Sequence, residues 1–236
     1  MKTFKQFIIN EYHRSLTQAE VQEIRDREGI KFSTDKGHPT QRANTISTYA
    51  KFYELVQKRL VTIGRDEESL IGLDYSSGLG LGAETIRLAG GNIESYEPFP
   101  HENSKDITYA GLNSLPSDKK YDYIINSVVL NVVEQDIRDG IVLDIWDHLK
   151  AGGIAIIGVR SKADVLGAKS AYVIDEENGE IIDTIRGSYQ KGFTSEELRG
   201  YLIDMLPDAI VMRNTGFSQI VCIIYKEEEW ITDEEL

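Results

Sequence analysis

The chain has 236 residues, 41% of them hydrophobic and 28% charged, with a formal net charge of −13. That length supports one sizeable core with an extension, and no apolar run is long enough to span a membrane. Residues 1–60 carry 11 Lys/Arg against 7 Asp/Glu while the remainder nets −17, and so acidic a body disfavours broad contact with a nucleic-acid backbone.

The opening MKTFKQFIINEYHRS starts basic, but Asn10 and Glu11 interrupt its apolar stretch, which is not the pattern of a signal peptide. Phe4, Phe7, Ile8 and Tyr12 lie at near-helical spacing and predict a helix over 2–14. Thr17 and Glu20 form a capping box ahead of a second helix over 19–28. Residues 30–42 hold Ser, Thr, Gly and Pro and read as a loop. A third helix is expected from about 45 to 60, where Ile46, Tyr49, Phe52, Tyr53, Leu55 and Val56 form a broad stripe that packs against the main domain.

Alternating strands and helices begin at Ser69. Leu70, Ile71 and Leu73 form a strand closed by Asp74, and Gly78, Gly80 and Gly82 follow. A helix through Ile86, Leu88 and Ala89 stops at Gly90-Gly91, and a second strand over 93–96 ends at Glu97. A short third strand falls at 107–109 and a fourth at 121–130. The helix over 133–150 turns Ile137, Ile141, Val142, Ile145, Trp146 and Leu149 inward, and strand five over 154–159 is apolar on both faces, as a central parallel strand should be. Residues 171–185 read as a β-hairpin around Asn178-Gly179. Thr194 and Glu197 cap a helix reaching about Met205, and strands over 209–212 and 219–225 are close enough to pair antiparallel. Cys222, the sole cysteine, lies in the last strand and reads as a small buried hydrophobe; without a partner for a disulfide it points to a reducing, cytoplasmic compartment. The tail, 227–236, holds six acids and reads as frayed and dispensable. The organisation is a helical extension over 1–60, one domain over 61–226 and the tail, with no internal repeat.

The chemistry concentrates in residues 70–98. Glycines at a strand-to-helix turn let the backbone pass close to a ligand, and an acid about 20 residues on is placed for a ribose. Gly78-x-Gly80-x-x-Ala83 satisfies the dinucleotide fingerprint, and a glycine turn without a ligand is the plainest reading. The spacing Asp74-Tyr-Ser-Ser-Gly78-Leu-Gly80, however, resembles motif I of the class I S-adenosylmethionine (SAM)-dependent methyltransferases, where an acid at the strand end precedes the glycines. Glu97 resembles that family's ribose-binding acid, Tyr121-Asp122 through Leu130 its strand-four segment, and Leu149-Lys-Ala-Gly-Gly153 its turn before strand five. The resemblance covers about 70–226. It implies an α/β fold with a doubly wound, mostly parallel seven-stranded sheet and a closing antiparallel hairpin, here with an N-terminal helical extension.

The same resemblance implies SAM as cofactor. Asp74 would orient its amino group through a water or a backbone amide, Gly78 and Gly80 would admit it, and Glu97 would accept both ribose hydroxyls. Leu112 and Asn113 are candidates beside the adenine, and Asn126 and Ser127 would face the methyl-transfer site. Ser76 replaces the usual first glycine, which fits a residue of negative φ with its hydroxyl near the methionine moiety. Arg42-Ala-Asn-Thr45-Ile-Ser47 is similar to a short motif ahead of the domain in some bacterial and phage methyltransferase-like proteins, and the first seven residues to the start of many tailed-phage proteins. The loop over 36–47 is either a lid that closes over the cofactor and selects the acceptor, with Arg42, Thr45 and Ser47 on the substrate side, or a solvated basic loop ahead of a packing helix.

No catalytic group is evident. Neither the Asn/Asp-Pro-Pro-aromatic motif of DNA amino-methyltransferases nor a Pro-Cys nucleophile is present. Among the histidines, His148 reads as a helix-surface residue, and His101, just beyond Glu97, is the candidate general base. No Cys/His cluster suggests a metal. The leading function is a SAM-dependent methyltransferase whose acceptor, whether small molecule, protein or nucleic acid, the sequence does not name. A binding or structural protein on the same fold is an alternative. An NAD(P)-binding oxidoreductase is another, opposed by Asp74, the late glycine turn and the lack of a Tyr-x-x-x-Lys pair in the second half.

Overall fold

The computed structural model describes residues 43–62, 64–66, 69–183 and 188–227. The helices expected over 2–14 and 19–28, the loop to Arg42, and the tail past Glu227 lie outside the described residues.

Helix α1 (Ala43–Thr62) leads into β1 (Gly72–Tyr75), α2 (Leu81–Leu88), β2 (Ile93–Glu97), β3 (Tyr109–Ala110), β4 (Tyr121–Ser127), α3 (Gln135–His148) and β5 (Leu149–Val159). Then come α4 (Lys162–Leu166), β6 (Ala171–Asp175), β7 (Glu180–Asp183), β8 (Ser188–Lys191), α5 (Ser195–Met205), β9 (Ala209–Asn214) and β10 (Ile220–Lys226). The main sheet has seven strands in the order β3-β2-β1-β4-β5-β10-β9. Strands β1 to β5 run parallel, and β10 is antiparallel to both of its neighbours. The chain leaves β1 in one direction for β2 and later returns to β1's other edge for β4, so the carboxyl ends of β1, β2 and β4 surround the switch point where doubly wound sheets bind ligands.

Period-two alternation sorts the strand residues into two cores. Leu73, Tyr75, Ile124, Ala155, Ile157, Cys222 and Ile224 pack with α3 and α5. Tyr123, Ile125, Ile154, Ile156, Val221 and Ile223 pack with α1 and α2. Tyr49, Phe52, Tyr53, Val56 and Leu60 carry the buried side of α1, so this helix is part of the second core.

Several sequence expectations need correction. Helix α1 begins at Ala43, so Thr45 and Ser47 occupy its first two turns rather than a loop. Ile46 and Leu88 are exposed, off the stripes assigned to them. The hairpin around Gly179 forms as expected, as β6 and β7, and β8 extends it into a separate three-stranded antiparallel sheet. Strand β8 (SYQK) and the short helix α4, capped by Ser161, had no apolar period to reveal them. His148 is buried rather than on the surface, because its ring nitrogens lie 2.7 Å from the Asp144 carbonyl and 3.2 Å from that of Pro116. Among the described residues no helix is long and apolar enough to cross a membrane.

Gly72 tests the packing of the second core. A Cβ there would sit 2.1 Å from the buried Tyr123 ring. Gly72→Ala should lower the unfolding free energy by about 1–3 kcal/mol in urea titrations, since the ring has no room to retreat.

Candidate functional site

The turn after β1 places the site. Ser76, Gly78 and Gly80 take φ of 62°, 59° and 85°. This corrects the expectation for Ser76, which holds the left-handed conformation that a glycine would adopt freely. Long-range bonds impose it: Ser77 N donates to Tyr96 O at 2.9 Å and Gly78 N to Glu97 Oε2 at 2.7 Å, while Gly80 N closes on Ser77 O at 3.0 Å. On the other side Ser104 Oγ donates to Gly78 O at 2.9 Å and Lys105 N to Leu79 O at 3.2 Å. Two glycines answer to packing. A Cβ on Gly80 would meet Lys105 O at 2.3 Å, and one on Gly82 would meet the Tyr49 ring at 2.4 Å.

Two buried carboxylates stand at the ends of the adjacent strands β1 and β2. Glu97 accepts Gly78 N–H on Oε2 and Phe99 N–H, at 3.0 Å, on Oε1. Burial pushes its carboxyl upward against those two donors. A carboxylate has about four acceptor positions, so each oxygen retains one. Asp74 is fully buried on the α1 and α2 side and accepts the Tyr49 hydroxyl at 2.7 Å on Oδ1. Among the described residues its Oδ2 has no hydrogen-bond partner. Burial raises the Asp74 carboxyl to about 7; the Tyr49 hydroxyl and the Ala83 N–H pull it down, nearby Glu97 pushes it up and Arg87 lowers it.

The other predicted site residues gather less tightly. Leu112 is half-buried and Asn113 exposed at φ 63°, in a loop joined to β2 by Gly111 N donating to Glu97 O at 2.9 Å. Asn126 is buried at the end of β4, with Nδ2 donating to Tyr75 O at 3.1 Å and Oδ1 unpartnered among the described residues. Ser127 Oγ lies 3.4 Å from Gln219 Nε2. His101 Nδ1 accepts Asn103 N–H at 3.1 Å. Ser47 is exposed on α1, and Arg42 lies outside the described residues.

Sequence reasoning missed Tyr49, which read only as a core aromatic, and Ser104. It also missed the loop after β4. Val128 takes φ 60°, a conformation β-branched residues rarely adopt, with its N–H on Gly158 O at 2.7 Å. Arg138, fully buried, donates to Leu130 O at 2.8 Å, Val133 O at 2.9 Å and Gln135 Oε1 at 2.6 Å, with its guanidinium 5.3 Å from the Phe193 ring. Lys191 N donates to Asn131 O at 2.8 Å, which ties β8 and the small sheet to this loop. Cys222 is buried and its thiol is pushed up to about 11, in keeping with a packing residue. Among the described residues no group of three or more His, Cys, Asp or Glu side chains is placed to hold a metal ion.

No protein-family model and no curated protein matches the chain. Solved structures match in fold. DesVI of Streptomyces venezuelae aligns with a TM-score of 0.54 over 89% of this chain and 99% of its own, at 12% identity. The glycopeptide N-methyltransferase MtfA, complexed with S-adenosyl-L-homocysteine, aligns at 0.54 over 89% and 98%, with 13% identity. The CcbJ methyltransferase of Streptomyces caelestis aligns at 0.54 over 79% and 90%, with 11% identity. At such identities the likeness is one of fold: the chain has the Rossmann-like fold of SAM-dependent methyltransferases.

Two measurements check the site. Ser76→Gly removes a left-handed serine and should raise the unfolding free energy by about 0.5–1 kcal/mol, strain relief exceeding the added chain entropy. The second concerns pH. With Asp74 raised to about 7 from an ordinary 3.8, the folded state keeps a proton that the unfolded chain has released. Stability should therefore fall as pH rises through that interval, and Glu97, also raised, adds the same sign. The melting temperature should drop between about pH 4 and pH 7, and Asp74→Asn should flatten the drop.

Proposed function

We propose that this chain is a SAM-dependent methyltransferase, with the cofactor across the carboxyl ends of β1, β2 and β3 and the methyl acceptor beside the exit of β4. The observation that carries this reading is the state of the glycine turn. A dinucleotide site offers such a turn's N–H groups to a pyrophosphate. Here Ser77 N–H, Gly78 N–H and Gly80 N–H are already engaged, one of them by a carboxylate. A buried acid, Asp74, closes β1 immediately before that turn, beside the place a dianionic pyrophosphate would have to take. That arrangement repels a pyrophosphate and suits a ligand bearing an ammonium and a sulfonium.

The residues present fit the cofactor. Glu97 has an acceptor position left on each oxygen for the ribose hydroxyls, and it is held in place beforehand by two backbone N–H groups. The unpartnered Asp74 Oδ2 is an acceptor for the ammonium. Leu112 and Asn113 lie beside the adenine position, and Asn126 and Ser127 border the methyl-transfer side. When bound, the cofactor supplies a methyl group on a positively charged sulfur, which a nucleophile displaces in line. No side chain of residues 126–133 ionises in the neutral range, so the protein's contribution there is positioning, which can supply much of the rate.

The start of α1 belongs to the acceptor side in this reading. Tyr49 meets Asp74 near the end of β1, and the chain returns from Leu60 through Arg65 to the beginning of β1. The helix therefore runs antiparallel to the strand, with Thr45 and Ser47, one turn before Tyr49, toward the carboxyl end of the sheet.

Titration calorimetry with SAM, S-adenosylhomocysteine and NAD tests the reading. SAM and its product should bind, and Glu97→Ala should weaken both by about tenfold or more, because the variant loses two hydrogen bonds from a charged acceptor. NAD binding without SAM binding would replace this reading with an oxidoreductase.

A further inference from the structure

Tyr49 is buried on α1, 25 residues before Asp74 in the chain, yet its hydroxyl reaches that acid, which opens the glycine turn. The bond from Tyr49 Oη to Asp74 Oδ1 is 2.7 Å, with both side chains buried. Its ring occupies the space left by the missing Cβ of Gly82, in the first turn of α2, and meets Phe52 edge-on at 5.7 Å between centroids. One side chain thus touches the strand that ends in the cofactor turn and the helix that starts from it.

Two features show that this is more than core packing. A tyrosine in an apolar stripe commonly turns its hydroxyl to solvent or to a backbone carbonyl. Here the partner is a fully buried carboxylate whose second oxygen has no partner among the described residues. And Gly82 has no conformational need to be glycine at a helical position; the tyrosine ring is what excludes a larger residue.

We infer that Tyr49 is a positioning residue of the cofactor site: its hydroxyl fixes the Asp74 carboxylate so that Oδ2 is presented to the ligand, and docking of α1 is thereby coupled to cofactor binding. The inference rests on the methyltransferase reading above. Coupling is reciprocal, so the ligand must stabilise the docked helix by the same factor by which the docked helix improves binding.

The test uses the full-length protein and S-adenosylhomocysteine. Tyr49→Phe keeps the ring against Gly82 and Phe52 and removes only the hydroxyl. Its affinity should fall about tenfold by calorimetry, the loss of one hydrogen bond to a charged group, while its urea midpoint stays within the range of ordinary core variants. In an Asp74→Asn background the same substitution should have little further effect on affinity. The pH profile of binding should also move to higher pH in Tyr49→Phe, since Asp74 would keep Glu97 and Tyr123 nearby, with only Arg87 and the Ala83 N–H to favour its charged form. In the wild type, the ligand should slow amide exchange over residues 46–56, and in Tyr49→Phe this protection should shrink. Wild-type protein that fails to bind S-adenosylhomocysteine overturns the methyltransferase reading and this inference with it. Wild-type binding with affinity and pH profile unchanged in Tyr49→Phe overturns this inference alone.

Discussion

The desolvation of two neighbouring carboxylates governs this end of the molecule. Asp74 and Glu97 are buried at the ends of strands that pair directly, with Asp74 opposite Ser95 in the register. A buried carboxylate costs several kcal/mol unless donors replace its water. Glu97 meets that cost with two backbone N–H groups, which obliges the turn to aim Gly78 N–H inward and so to pass through left-handed φ at residues 76, 78 and 80. Asp74 recruits a phenol from a helix outside the alternating βα units. The turn's conformation, the seating of α1 and the small residue at position 82 all follow from where these two charges had to be placed.

How much of this was legible depended on the range of the interactions. Period-two apolar runs and turn glycines marked β1, β2, β4, β5 and β10, and the acids at the ends of β1 and β2 came with them. The box at the start of α5 was legible because it is entirely local: Thr194 N donates to Glu197 Oε2 at 2.6 Å, and Glu197 N returns to Thr194 Oγ1 at 3.2 Å. Ser76 was misread because its φ is set by bonds to Tyr96 and Glu97, about twenty residues away, and not by its own preference. His148 was misread for the same reason, its second carbonyl partner being Pro116. Tyr49 was seen, but a periodicity count treats tyrosine as apolar surface and discards the hydroxyl. Strand β8 escaped because its buried side chain is Gln190, which bonds with Asp183 and Arg160 instead of filling an apolar core.

The charge pattern fits the same picture. The body carries the chain's negative charge, and Asp74 and Glu97 bring two carboxyls of it together at the ends of β1 and β2. On the proposed reading, a cationic ligand is favoured there by groups fixed before it arrives.

The exit of β4 is fixed by different means. Arg138 is buried with neutral acceptors, two of them the carbonyls of Leu130 and Val133, so its planar fork holds both ends of the short loop at once. A lysine would offer a single point of attachment and could not brace two carbonyls in that geometry. Val128 enters this loop with φ 60°, a strain that persists only where the surroundings determine the backbone more strongly than the residue does. The bond from Val128 N to Gly158 O and the grip of Arg138 on either side of Asn131 supply that constraint. A loop held this way keeps its shape whether or not a substrate is present. Methyl transfer, the reaction proposed above, gains most from a fixed line of approach and needs little from an ionising side chain, and a strained and braced loop at this position suits that proposal.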